Sequence, residues 1–559
     1  MEKIISLLLV LTMLSSLFVM NVSAEITWSL PESASASHSI RFGLLVDSHI
    51  TSSGNGSDAL NTATASFSNL DIDAMVFSGD IVMHSATELT EDSMTSAYGH
   101  LKTVLTNNGI STVANTTEVE SGKTPLIYAT GNHEFPMGST NETACAAALT
   151  TFKNQMACEQ NTHNVVNGYH FITSGGYNTN SFMTTDNTNY IIDEIAVAET
   201  ADATKPIFLV LHHPIYETVA GSDYATCGED RYRNSNKSGK SFKEYLNEHP
   251  RVIVLSGHTH ERIQNPQSVW QDGFTAVGSG YVGGGSSGNF SQGYFVEAEG
   301  TIVKFYKMNY LTGEYMGEPW TIDVSSKDEF DFTAAKKAQA KAPVFASNAA
   351  VDVSDITSST ATVKWSTATI EPTKPFEDNY IKAYRVVVKD YQNKVISETT
   401  YDTKYYLEGS VPTTTHRIKD LAGSTTYQVN VYAVSPLDIE SAALTTSFTT
   451  AEVVAEPERE FYEKFECEEN DVAFYYLGEN IAASKIISSS NASGGAFIRT
   501  QLAPITWNFT PTKTGYYTFD LVTGGDAACN NGDSTFTIGG ATTYTGVIET
   551  NSSQSANDI

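Results

Sequence analysis

Five short blocks follow one another along the chain: Asp47-Ser48-His49, Gly79-Asp80, Gly131-Asn132-His133-Glu134, His212-His213-Pro214 and Gly257-His258-Thr259-His260. They bring together carboxylates, one neutral amide and several imidazoles. Imidazole combined with carboxylate suits zinc, iron, manganese or cobalt better than calcium. Two such cations held roughly 3.5–4 Å apart need a shared ligand to offset their repulsion, and a carboxylate can bridge them. A neutral Asn limits the negative charge and keeps the ions electrophilic. The expected chemistry is hydrolysis assisted by two divalent metal ions.

Each block ends an apolar run: Phe42–Val46, Ala74–Phe77, Pro125–Tyr128, Ile207–Leu211 and Val252–Leu255. Apolar runs of about four to six residues without alternation predict strands buried on both faces. Helix candidates such as Thr87–Thr106 and Ser241–Glu248 lie between them, which gives the alternation of an α/β fold. Ligands of open α/β sheets bind outside the carboxyl ends of the strands, so five strands can deliver all five blocks to one edge. Near 293–308, two runs flanking Glu299-Gly300 read as a hairpin. The glycine-rich stretch Gly278–Gly285 precedes a strand instead of a helix, so it reads as a flexible loop beside the site and not as a phosphate cradle.

At 559 residues the chain is too long for one core. Residues 1–24 combine a basic start, a short apolar stretch and small residues at Val22-Ser23-Ala24, the pattern of a secretory signal peptide, with a membrane anchor as the alternative. Export implies a secreted or cell-surface protein. The formal net charge of −31 repels phosphate backbones and argues against a nucleic acid polymer as partner. Five cysteines in an oxidising compartment permit pairing, and Cys145 with Cys158, then Cys467 with Cys529, are the expected bridges. A catalytic region over 25–325 is followed by a charged, alanine-rich linker over 326–342, readable as one helix or none. The character then changes to short alternating runs rich in Thr, Val and Tyr, which predict a β-sandwich over 343–451. Residues 460–559 are again β-rich.

The five blocks in this order resemble the calcineurin-like metallophosphoesterase family, over about half of the chain. The resemblance implies a four-layer αββα sandwich. It implies a phosphoester substrate, monoester or diester, attacked by a hydroxide that bridges the two metals. It also implies Asp47, His49 and His260 as ligands of one metal, Asp80 as the bridge, and Asn132, His212 and His258 as ligands of the other, with His213 as the alternative to His212. His133 matches the family's histidine near the scissile oxygen, and Glu134 is expected to orient it or to shape the loop. The chain has His49 and Met83 where purple acid phosphatases carry Gly and Tyr, which disfavours an iron–tyrosinate site. His84 is expected at the surface, with contact to the substrate as the alternative. Residues 343–451 resemble a fibronectin type III domain through Trp365, the Tyr384–Val388 strand and the Leu421/Tyr427 pair that marks a tyrosine corner. Residues 460–559 are weakly similar to the front of a carbohydrate-binding jelly roll. These carboxyl-terminal modules imply contact with a polysaccharide or a cell surface. They also keep open a second reading, an adhesion protein with a vestigial metal site.

Overall fold

A computed structural model of the protein describes residues 28–35, 38–137, 141–176, 184–223, 236–283, 290–376, 379–403 and 412–453, and beyond them the backbone of seven short strands. The chain divides into two compact units, Met1–Val453 and Val454–Ile559. Residues 1–24, where a signal peptide is expected, lie outside the described residues. Among the described residues no helix is long and apolar enough to cross a membrane.

The apolar runs become strands. In the first sheet β1 (Ile40–Leu45), β2 (Ala74–Phe77) and β3 (Leu126–Tyr128) run parallel. Two further strands, β10 (Gln292–Glu299) and β11 (Ile302–Asn309), form the expected hairpin, and β10 lies antiparallel to β1. The short β12 (Glu314–Tyr315) and β13 (Trp320–Asp323) both pair with β11. The second sheet contains β4 (Thr162–Val166), β5 (Tyr169–Thr173), β6 (Ile207–Val210), β7 (Val252–Ser256), β8 (Val269–Gln271) and β9 (Thr275–Gly278), in the order β4-β5-β6-β7-β9-β8. Its central four strands are parallel.

All six residues of β1 are buried, because the two sheets cover one another and helices cover their outer faces. The inter-sheet core joins Phe42, Leu44 and Val76 of one sheet to Phe171, Phe208 and Leu255 of the other. On the first sheet's outer face pack α1 (Ser57–Ala65), α2 (Glu91–Asn107) and α3 (Glu142–Met156), through residues such as Leu60, Tyr98, Leu101 and Phe152. Two more helices, α4 (Thr185–Ala201) and α5 (Phe242–Leu246), cover the second sheet through Ile191, Ile195, Phe242 and Leu246. This is the four-layer αββα sandwich expected from the sequence. Helix α2 begins at a capping box, in which the Thr90 hydroxyl accepts from the Ser93 N–H and the Ser93 hydroxyl accepts from the Thr90 N–H.

The expected bridge between Cys145 and Cys158 is not formed. Cys145 sits with Met94 and Phe135, while Cys158 packs against the separate core under α2, so their side chains serve different clusters. Burial pushes the Cys158 thiol up to about 12. The other three cysteines lie outside the described residues.

The segment 326–342 contains a single 3₁₀ turn (Lys327–Glu329) and one short α-helix, α6 (Ala334–Lys337), and between them Phe330 and Phe332 are buried. The β-sandwich after it packs a three-stranded sheet, β15 (Val351–Ser354), β16 (Ala361–Trp365) and β20 (Thr415–Ile418), on a four-stranded one. The latter runs β19 (Val395–Asp402), β18 (Ala383–Lys389), β21 (Thr426–Val434) and β22 (Leu444–Thr449). A small pair, β14 (Val344–Phe345) with β17 (Ala368–Thr369), closes one edge. Trp365, Tyr384, Val386 and Val431 fill the sandwich core. The Ala422 N–H donates to the Tyr427 hydroxyl at 2.8 Å, the expected tyrosine corner. The sandwich is seated on the α/β domain: Phe376 enters the inter-sheet core and meets the Phe332 ring at 5.6 Å. The jelly-roll reading of 460–559 falls outside the described residues except for short antiparallel strand pairs.

Candidate metal centre

The loops leaving β1, β2, β3, β6 and β7 meet at one edge of the two sheets. Backbone hydrogen bonds carry the strand pairing into the loops. The Asp47 N–H donates to the Gly79 carbonyl at 3.2 Å, the His49 N–H to the Asp80 carbonyl at 3.1 Å and the Gly257 N–H to the His212 carbonyl at 2.8 Å. Asp47, His49, Asp80, His258 and His260 all have left-handed backbone, with φ of 55°, 52°, 52°, 69° and 49°. Strain of this kind at non-glycine residues gathers at functional sites, where the surrounding structure over-determines it. Three glycines make the close approach possible. A Cβ on Gly79, whose φ is 97°, would lie 2.6 Å from the His212 Cβ. One on Gly131 would meet the Asp80 carboxylate and the His212 ring, and one on Gly257 would meet Val46 and Asp47.

The side chains converge. Both carboxylates are fully buried, and His212 Nε2 lies 2.9 Å from one Asp80 oxygen and 3.9 Å from Asp47. His260 Nε2 is 3.1 Å from Asp47 Oδ1, and His49 Nε2 is 3.6 Å from both Asp47 and Asp80. The second oxygen of Asp47 accepts from the His258 N–H at 3.0 Å, and that of Asp80 from the His133 N–H at 2.8 Å. His213 lies against His258, with ring centroids 4.1 Å apart, whereas His212 is the histidine beside both carboxylates. Four overlapping triples each bring ligand atoms within 4.8 Å of one another: Asp47/His49/His260, His49/Asp80/His133, Asp47/Asp80/His212 and His212/His213/His258. Asn132 stands between Gly131 and His133, and its side-chain oxygen is buried without a hydrogen-bond partner.

This donor set fits a pair of cations. His49 Nε2 and Asn132 Oδ1 are buried polar atoms without a hydrogen-bond partner at ordinary distance. The His212 Nδ1–H donates to the Ser78 carbonyl at 2.9 Å, which leaves Nε2 as the lone-pair nitrogen facing Asp80. Burial alone would lower the His212 imidazole, but the charges of Asp80 and Asp47 outweigh it and raise it to about 9. A proton there occupies ground that a cation can take. Burial, reinforced by the charge on His212, lowers His258 to about 3, so its ring is held neutral as a metal ligand requires.

Glu134 binds no group of the hollow. Its carboxylate accepts from the backbone N–H groups of Asp80, Ile81, Val82 and Gly131 and from the Tyr128 hydroxyl. Burial and the nearby Asp80 charge push it up to about 7, yet five donors all require an acceptor there, and the ionised form meets that requirement. It therefore shapes the loop, locking the second and third blocks together. His84, expected at the surface, is fully buried behind His133, whose carbonyl accepts its N–H at 3.0 Å. The strand-end geometry turns it inward beside Tyr98. Tyr281, which nothing in its glycine-rich surroundings foretold, lays its ring 4.4 Å from that of His260.

A fold of two facing sheets with converging aspartates and histidines able to hold metal at the strand ends defines the class of the α/β domain. Residues 40–262 match the calcineurin-like phosphoesterase family and residues 347–446 the fibronectin type III family. The chain thus carries a calcineurin-like phosphoesterase domain followed by a fibronectin type III domain. No curated protein matches the chain. Among solved structures it is similar to a dimetal phosphatase from Danio rerio, with 11% identity and a TM-score of 0.35, over 52% of this chain and 100% of that one. It is also similar to the sixth fibronectin type III domain of a human fibronectin type III domain containing protein, with 16% identity and a TM-score of 0.15, over 20% of this chain and 89% of that one. The fibronectin type III domain of human collagen alpha-1(XX) matches with 19% identity and a TM-score of 0.15, over 22% of this chain and 99% of that one.

Proposed function

We propose that the protein is an exported hydrolase of phosphomonoesters or phosphodiesters working with two divalent metal ions of the Mn, Zn, Fe or Co kind. The observation that carries this reading is the convergence of Asp47, Asp80 and their surrounding imidazoles on one buried hollow. Asp47, His49 and His260 would hold one ion, Asn132, His212 and His258 the other, and Asp80 both. Bound cations supply Lewis acidity, making a water nucleophilic near neutral pH and taking up charge on the phosphoryl oxygens.

The chain's own groups complete the chemistry. His133 is 22% exposed against 1% for His212, so its ring can reach a substrate while still facing Asp80, 3.9 Å away. Burial lowers its pKa, which makes its conjugate acid a ready proton donor. A water oxygen forms the new bond to phosphorus, the bond to the leaving oxygen breaks, and that oxygen takes the proton from His133. The proton lost by the water restores the ring. Such proton transfer contributes of order 10²–10⁴ in rate.

Export rests on the pattern of residues 1–24, and its test is recovery of the mature chain from the culture medium. The carboxyl-terminal β modules are assigned contact with a polysaccharide or cell surface, tested by retention on insoluble polysaccharide. The catalytic reading is tested by stripping the purified protein of metal, restoring Mn²⁺, Zn²⁺, Fe²⁺ or Co²⁺ singly, and assaying generic phosphate mono- and diesters. Activity that returns with metal and is lost in Asp80→Ala is the expected result. Measured metal binding without hydrolysis of any ester would favour the vestigial site.

A further inference from the structure

A cavity of about 430 Å³ opens beside the metal hollow, with His260 in its wall. Its other walls come from two domains. The phosphoesterase domain supplies Asp223, Glu261, Arg262 and Phe290, and the fibronectin type III domain supplies Lys382, Asp402 and Asp438. The second wall is fixed in place. The Gln267 side-chain amide donates to the Pro436 carbonyl at 3.1 Å and to Asp438 at 2.8 Å, and the Tyr380 hydroxyl donates to the Gln264 carbonyl at 3.4 Å. Lys382 pairs with Asp438 at 2.7 Å.

From this arrangement we infer that the fibronectin type III domain forms one side of the leaving-group subsite, and that the subsite takes a neutral, polyhydroxylated group such as a sugar or cyclic polyol. The inference rests on the phosphoesterase reading above. A phosphoester seated at His260 has its leaving group directed either to solvent or into this cavity. Among the described residues of its wall four carboxylates face two cations, a balance that disfavours a second phosphate or a carboxylate on the leaving group. An acyl chain would strip water from those charges without replacing its hydrogen bonds. Hydroxyl groups both donate to carboxylates and accept from Lys382 and Arg262. The Phe290 ring has the Arg262 guanidinium 4.0 Å from its centroid, which closes it to an apolar chain.

The test compares kcat/KM of the whole metal-loaded protein on inositol phosphate, glucosyl phosphate, phenyl phosphate and phosphoethanolamine, or on their methyl diesters. The parent is expected to prefer the two polyol esters over phenyl phosphate by about tenfold. The double variant Lys382→Ala/Asp438→Ala, which leaves the net charge unchanged, is expected to erase that preference chiefly through KM, and Asp402→Asn to halve it or more. Thermal unfolding of each variant confirms the fold. Preference for phenyl phosphate or phosphoethanolamine, or a double variant with the parent's substrate ratio, overturns the inference while leaving the phosphoesterase reading intact. A parent that hydrolyses no ester with any metal removes that reading and this inference with it.

Discussion

Asp80 and Glu134 sit side by side with opposite duties. Asp80 faces His212 and His49, while Glu134 faces backbone N–H groups and holds the loops that present Asp80. Glu134→Gln places an amide N–H₂ against donors, and a buried donor left unmatched costs about 2–3 kcal/mol. Urea unfolding of the metal-free protein is expected to show that loss. Gly131→Ala drives a Cβ into Asp80 and His212, and a displacement of about 1 Å at a reacting centre costs roughly 10²-fold in kcat. The control Gly99→Ala sits in α2 with open space around it and is expected to stabilise by about 0.5–1 kcal/mol. His84 gives the pH test. Burial, opposed by Glu88, lowers it from 6.5 to about 4, so the fold favours the neutral ring. Its contribution is fully present above the unfolded value and is lost as pH falls toward the folded one. Between about pH 7.5 and pH 5 the parent is expected to lose about 2 kcal/mol more stability than His84→Gln. Residue identity revealed which side chains meet in the hollow, because metal ligation demands particular atoms. It did not reveal that His84 points inward or that Tyr281 lies on His260, since these depend on how loops fold back over the strand ends.

At the scale of elements, the five ligand-bearing runs were legible because strands covered on both faces carry no polar residues. Their partners were not all so. The β4–β5 pair has a half-exposed strand, Thr162–Val166, whose pattern resembles loop, and its place in the second sheet is set by pairing with β5. The hairpin of β10 and β11 was readable, but its seat beside β1 was not, since nothing local specifies which edge a hairpin joins. Helix α2 starts at Glu91, four residues after the expected Thr87, set there by the Thr90 cap. Thr90→Ala is expected to cost about 1 kcal/mol, read by thermal unfolding, because it orphans the Ser93 N–H. The Cys145/Cys158 pair shows the opposite limit: sequence spacing permitted a bridge, and the separate clusters that bury each thiol prevent it.

For the whole molecule, metal bound at the proposed site would be linked to the fold. A ligand at about a hundred times its dissociation constant adds about 2.7 kcal/mol. In a folding unit of about 300–430 residues that raises Tm by roughly 3–4 °C. Calorimetry before and after reloading with Mn²⁺ or Zn²⁺ is expected to show this rise, and Asp80→Ala to abolish it. The domain order was legible from the change in composition near 343, but the intimacy of the junction was not, because a linker rich in charge and alanine hides the buried Phe330 and Phe332. Phe376 carries that intimacy furthest. It belongs to the fibronectin type III domain in sequence and to the phosphoesterase core in space. Modules that shuffle freely between proteins end at their own surfaces, and this one does not. An excision that separates the two would leave one partner with a hole and the other with an exposed ring, so the pair is expected to unfold as one unit.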